Sequence, residues 1–165
     1  MVQRIGLDFW DRVLFENGSD VEDFGQTIYP KMIHLKGDIF LVTFEENSQQ
    51  DGWVHSFNIS EDGEFREVID TFEYNNADGN VPDMLKINNN LVAIVFSMGS
   101  STDGNVTTVN ISDNGMFGGV VDSLEFDEER GREAEIIKVN GSVYAIAYSG
   151  TNNLDGMVVT VNISD

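Results

Sequence analysis

Along this chain the apolar residues come in short runs separated by Gly, Asn and Asp, and the runs recur. Met32-Ile33-His34-Leu35 returns as Met84-Leu85-Lys86-Ile87 and again as Ile136-Ile137-Lys138-Val139. Each is followed by a turn, at Lys36-Gly37-Asp38, Asn88-Asn89-Asn90 or Asn140-Gly141-Ser142, and then by the most apolar stretch of its unit. Those stretches are 39–44, 91–96 and 143–148. Short apolar runs bounded by turn formers predict β-strands, and the tight turns between them predict antiparallel hairpins. The most apolar strand is apolar on both faces, so both faces are expected to be covered. Its faces differ in size. Phe40, Val42 and Phe44, with their counterparts, are large, whereas Leu41/Ala93/Ala145 and Thr43/Val95/Ala147 are mostly small. Large set against small suits closely packed neighbouring sheets.

The recurrence has a fixed period of 52 residues: Asp51-Gly52, Asp103-Gly104 and Asp155-Gly156 each lead into an Asn-Ile-Ser triplet, at Asn58, Asn110 and Asn162. Units 61–112 and 113–164 align without a gap. Each begins with a turn, Glu61-Asp62-Gly63 or Asp113-Asn114-Gly115, followed by a strand-like stretch, Phe65–Tyr74 or Phe117–Phe126. Four short strands per unit, with no long 3.6-period stripe, predict an all-β chain of about three four-stranded antiparallel blades, spanning approximately 1–60, 61–112 and 113–165. The N-terminal residues 1–30 depart from the pattern. They are expected to hold an outer strand and an enlarged loop, since Phe15–Pro30 is longer than Tyr74–Pro82. A short helix presenting Leu7, Trp10, Val13 and Leu14, capped by Asp8, is the alternative.

These units resemble β-propeller blades of the divergent, non-WD40 kind. In particular they are similar to tandem repeats of large acidic archaeal and bacterial surface proteins, on stretches such as Ile136–Val139 and Val143–Gly150 followed by Asp-Gly and a Val/Thr-rich strand. The resemblance covers about residues 31–165 and implies a blade fold in a surface or adhesion setting. A closed propeller typically has four to eight blades. Three blades therefore imply either a piece of a longer protein or copies that associate, a dimer completing six blades being favoured. Burial of an open apolar sheet face, at roughly 25 cal/mol per Å², would drive such homo-oligomerisation.

Charge narrows the function. Nine basic against 29 acidic residues give a formal net charge of −20, which disfavours nucleic acid and anionic membranes as partners. Three readings of the acidity are open: a solvated surface, Ca²⁺ held by loop carboxylates, or complementarity to a basic partner. There is no Cys, which excludes disulfides and thiolate chemistry. The N-terminus lacks a signal-peptide layout and no apolar run approaches a membrane span. A cytoplasmic protein, or an extracellular piece freed of its signal, is expected.

Candidate chemistry gathers at one end of the meanders. There the loops 45–52, 97–104 and 149–156 lie beside 75–82 and 127–134. Asp51, Asp103 and Asp155, each before Gly, are candidate metal ligands for Ca²⁺ or turn residues, and no EF-hand spacing is present. Glu45, Glu46, Trp53, Asp78, Asp127 and Glu128 are candidates for a ligand-binding rim, the ligand being a glycan or a protein. Trp53 could stack on a sugar or pack internally. Neither His34 nor His55 sits in a metal spacing. Asp70/Glu73 and Asp122/Glu125 recur with the repeat, which favours a structural role over a glycosidase pair. The repeating sequon asparagines Asn58, Asn110 and Asn162 suit strand-end turns. The reading favoured by these residues is a non-enzymatic binding or interaction module. A purely structural repeat and a carbohydrate-active enzyme with acidic rim residues are the alternatives.

Overall fold

A computed structural model describes residues 23–99, 102–150 and 155–164. Within them the chain is all-β, with eleven strands in three antiparallel sheets and no helix. The first sheet is a meander of β1 (Thr27–Lys36), β2 (Ile39–Glu46), β3 (Gly52–Ile59) and β4 (Phe65–Asn75). The second repeats it with β5 (Asn80–Lys86), β6 (Leu91–Met98), β7 (Asp103–Ile111) and β8 (Phe117–Asp127). The third has β9 (Arg132–Asn140), β10 (Val143–Ser149) and β11 (Gly156–Asn162), and among the described residues no fourth strand lies beside β11. The strand or helix expected within the first 22 residues lies outside the described residues.

Sheets and sequence units are out of phase by one strand. The stretch Phe65–Asn75 opens the unit 61–112, yet it pairs with β3, Val54 opposite Phe72, and so closes the first sheet. The reason is local. The Ser of each Asn-Ile-Ser triplet closes a tight hairpin: Ser60 Oγ accepts the Glu64 N–H at 3.1 Å, and Ser112 Oγ accepts that of Met116 at 3.0 Å. Gly63 and Gly115 supply the left-handed φ of 87° and 88° that this turn needs. Thus the serine of the triplet serves the strand-end turn.

The sheets stack large face on small. Leu35, Leu41 and Val54 of the first sheet pack against Met84, Ile94 and Phe96 of the second. Ala93, Val95 and Val106 of the second pack in turn against Ile136, Tyr144 and Ile146 of the third. Leu41, Ile94, Ala93 and Ile146 are fully buried, so the expected alternation of sizes along the central strands is what interlocks the stack. Each first strand carries a bulge two or three residues in, where Tyr29, Val81 and Glu133 take φ of 53°, 48° and 52°. A left-handed valine is strained. Its recurrence on the 52-residue period marks the bulge as part of the design of the unit.

Candidate functional site

Among the described residues two pairs of the predicted rim loops meet, 45–52 with 75–82 and 97–104 with 127–134. Gly79 N–H donates to Gln50 O at 2.7 Å, and Gly131 N–H donates to Thr102 O at 2.8 Å. A Cβ on Gly79 would run into Cα of Gly52, and one on Gly131 into Cα of Gly104, so these backbones touch because both residues lack side chains. The Tyr74 and Phe126 rings pack against these glycines and meet the next sheet in tilted contacts, with Phe96 at 5.2 Å and Tyr148 at 5.0 Å. Burial pushes the Tyr74 phenol upward, opposed by Thr43 and reinforced by the Glu45 carboxylate.

The candidate acids are distributed through this scaffold. Glu45 is buried, its Oε2 accepting the Val81 N–H at 3.1 Å, so it ties the first sheet to the bulge of the second. Glu46 accepts the Gln49 and Ser48 N–H groups and the Ser48 hydroxyl, which hold its carboxyl below the usual range. Asp127 Oδ1 accepts from Arg130 and Glu129 N–H at 2.7 and 2.9 Å. Partial burial raises its carboxyl, but these N–H groups together with the Tyr148 hydroxyl outweigh that and hold it low. Asn75 Oδ1 plays the same turn-closing part for Ala77 and Asp78, whose backbone N–H groups it accepts. Glu128 is exposed.

Asp51 and Asp155 each stand just before a strand, β3 or β11, and Asp103 is the first residue of β7. The backbone carbonyls of Asp51 and Asp155 close their turns, accepting from Glu46 and Gly150 N–H. Asp103 Oδ1 is buried with no hydrogen-bond partner among the described residues. No group of three His, Asp or Glu among those residues is gathered in a way that could hold a metal ion.

Trp53 belongs to a different surface, the large face of the first sheet. There Phe24, Phe44 and Trp53 surround His55, with ring centroids 5.5, 4.8 and 6.4 Å from the imidazole. A cavity of about 280 Å³ opens beside them, with Gln26, Glu46 and Thr71 at its edge. Burial holds His55 below its ordinary pKa, and its Nδ1 is buried without a hydrogen-bond partner among the described residues. The sequence pattern does not single out Phe24, but it does carry a signal for this site. The residues Trp53 and His55 are replaced by Asn105 and Thr107, then Met157 and Val159, so the units diverge here. His34 is exposed and bonds Gly37 O at 2.7 Å.

A second cavity, of about 210 Å³, lies between the second and third sheets beside β11. Its lining includes Val106, Thr108, Asp122, Leu124, Val161 and Asn162. The outward face of the third sheet next to it exposes Ile137, Val139 and Val158 at 62%, 58% and 71%. Among the described residues no helix is long and apolar enough to cross a membrane. Comparison with known proteins found no matching family model, no matching curated protein and no matching solved structure.

Proposed function

We propose that this chain is a non-enzymatic interaction module, a propeller-like stack of sheets whose partner is a further copy of itself. The observation that carries this reading is the outward face of the third sheet. The equivalents of its exposed Ile137 and Val158 are Leu85 and Val106 in the second sheet, which pack against the third sheet. An apolar sheet face of this kind marks an interaction surface. The surface or adhesion setting implied by the resemblance agrees with a module that works by association, not by chemistry.

Sedimentation velocity across a wide concentration range tests it. The expected result is a mass that rises with concentration, and more strongly at high salt, because a net charge of −20 opposes association. A Val158→Lys variant that melts like the parent should stay monomeric. A parent that remains monomeric at hundreds of micromolar overturns the proposal.

The cavity beside Trp53 favours a second reading, in which an aromatic wall and an acidic edge take a sugar ring. A shift of Trp53 fluorescence on titration with glycans, abolished by Trp53→Ala, would support it. An unchanged spectrum across the panel would dismiss it.

A further inference from the structure

We infer that Asn140 is a site of spontaneous covalent modification, where the Gly141 nitrogen closes on the side-chain amide to a succinimide that water opens to aspartate and isoaspartate. The inference stands apart from the self-association reading above. Three observations carry it.

The first is the residue pair. A glycine after an asparagine leaves the backbone nitrogen unshielded and lets the chain turn until that nitrogen reaches the amide carbon. The turn linking the first two strands of each sheet is Lys36-Gly37-Asp38, Asn88-Asn89-Asn90 or Asn140-Gly141-Ser142. Only the third joins asparagine to glycine. The first has no amide at that place. In the second, Asn89 brings a side chain, and Asn88 Oδ1 is occupied by the Asn90 N–H at 2.7 Å.

The second is the setting. Asn140 pairs with Val143, so Gly141 and Ser142 form a two-residue loop at the tip of β9 and β10. Asn140, Gly141 and Ser142 are all exposed. Gly141 has a left-handed φ of 54°, and a Cβ placed on it would meet nothing within 4 Å. Among the described residues no hydrogen bond holds the Asn140 side chain or the Gly141 N–H. This exposure belongs to the turn and not to the place of the third sheet in the stack. Gly37, Asp38, Asn89 and Asn90 are exposed at the equivalent tips.

The third is a contrast within the chain. Asn114-Gly115 is the same dipeptide, but both reacting groups are tied down. Asn114 Oδ1 accepts the Ser112 hydroxyl at 2.6 Å, and the Gly115 N–H donates to Ser112 O at 3.1 Å. Gly115 is buried, and a Cβ on it would lie 2.9 Å from Ile69 Cδ1. The remaining Asn-Gly pair, Asn17-Gly18, lies outside the described residues.

In the reaction the Gly141 nitrogen loses its proton to solvent base and bonds to Asn140 Cγ. The Cγ–Nδ2 bond breaks, and the side-chain nitrogen takes up a proton and leaves as ammonia. Water then adds to either carbonyl of the ring. Breaking the new bond to Cγ gives aspartate, and breaking the original peptide bond gives isoaspartate. The net change is water consumed and ammonia released, with a carboxylate in place of an amide. Isoaspartate also lengthens the main chain by one carbon where β9 turns into β10, which loosens the pairing of residue 140 with Val143.

The test incubates the folded full chain in mildly alkaline buffer, with a parallel sample in urea, and maps tryptic peptides over time. Trypsin places Asn140 in peptide 139–165, Asn114 in 87–130 and Asn17 in 13–31, so each pair is read separately. Chromatography and fragmentation distinguish aspartate from isoaspartate. The expected result in the folded chain is both products at Asn140, with Asn114 reacting at least about tenfold more slowly because its bonds to Ser112 must open first. In urea the two rates should converge. Absence of product at Asn140 in the folded chain overturns the inference, whatever happens in urea. Equal rates at Asn140 and Asn114 in the folded chain overturn it too, since the turn would then confer nothing. Aspartate without isoaspartate means direct hydrolysis and overturns the succinimide route.

Discussion

The junction between the first and second sheets and that between the second and third are built from the same repeat, yet only one is filled. In the first, the turn before β8 fits between the sheets and is held by Ser56 and Asp70. In the second, Thr108 and Asp122 occupy those places and face a cavity. The rim end does not differ in this way: Gly52 meets Gly79 as Gly104 meets Gly131, with an aromatic ring packed against each pair. Backbone contact at the rim is thus a property of the unit, whereas closure at the other end depends on the strand that comes next. A repeat stack is held by nearest-neighbour interfaces, so the contents of each junction depend on the two units that meet there.

The rim equivalence can be broken most severely. Gly79→Ala and Gly131→Ala each force a Cβ into the backbone of Gly52 or Gly104, which cannot yield as a flexible side chain would. Each is expected to cost more than about 4 kcal/mol, at the diagnostic end of single substitutions. Similar losses in urea unfolding would confirm that the two rims are equivalent. A mild effect for either would show that its loop can move away.

The cores should differ in how far the damage spreads. Ile94 and Ile146 are both fully buried, one facing the first sheet and the other the second. Truncation of either to Ala is expected to cost about 3 kcal/mol. Ile94→Ala lies mid-stack and should lower hydrogen-exchange protection in the first two sheets together. Ile146→Ala should lower it chiefly in β9–β11, since terminal units open locally. Uniform loss of protection in both variants would show that the stack unfolds as one cooperative block.

At the filled junction, Ser56→Ala leaves Gly115 O buried without its donor, and should cost about 1–2 kcal/mol. At the open one, Thr108 Oγ1 makes, among the described residues, only a long bond, 3.3 Å, to Asp122 O. Thr108→Ala should therefore cost clearly less in thermal unfolding of the dilute protein. Equal costs would remove the distinction between the junctions.

Much of this organisation was legible in the chain. The period set the strands and their turns, and the alternation of Phe40/Val42/Phe44 with Leu41/Thr43 showed that sheets stack on both faces. What stayed hidden was which sheet each strand joins. The pattern of Phe65–Asn75 is the same whether it opens one sheet or closes another, and only the Ser60 turn decides. The rim acids were equally opaque. A carboxylate that closes a turn, such as Asp127, and one that ties two sheets, such as Glu45, look in sequence like ligands on a surface. Phe24 and His55 meet through the fold alone, because Phe24 lies in the stretch that the repeat does not cover.

That aromatic setting gives the first sheet a pH response the other two lack, since His55 is replaced by Thr107 and Val159. Burial lowers the folded-state pKa, so as pH falls below about 6.5 the unfolded chain takes up the proton first. Stability is therefore full above that pH and declines on acidification until the folded imidazole is protonated too. In melts above about pH 5, where ordinary carboxylates remain ionised, His55→Phe should flatten this decline. An unchanged slope would place its origin elsewhere.

The smallest expected effect belongs to the ion pair that bridges the filled junction, Lys36 Nζ to Asp113 Oδ1 at 2.7 Å. The lysine side chain is 18% exposed and the aspartate 93%. An exposed partner of this kind is screened by water and salt, and many such pairs contribute nothing measurable. The second junction has Asn88 in place of Lys36, so no equivalent ion pair can form from that position. If closure depends on the buried Ser56 and Asp70 contacts, Asp113→Asn should lower the melting temperature slightly at low salt and not at all in half-molar salt. A loss that persists at high salt would mean that the ion pair, and not the buried hydrogen bonds, sets the difference between the two junctions.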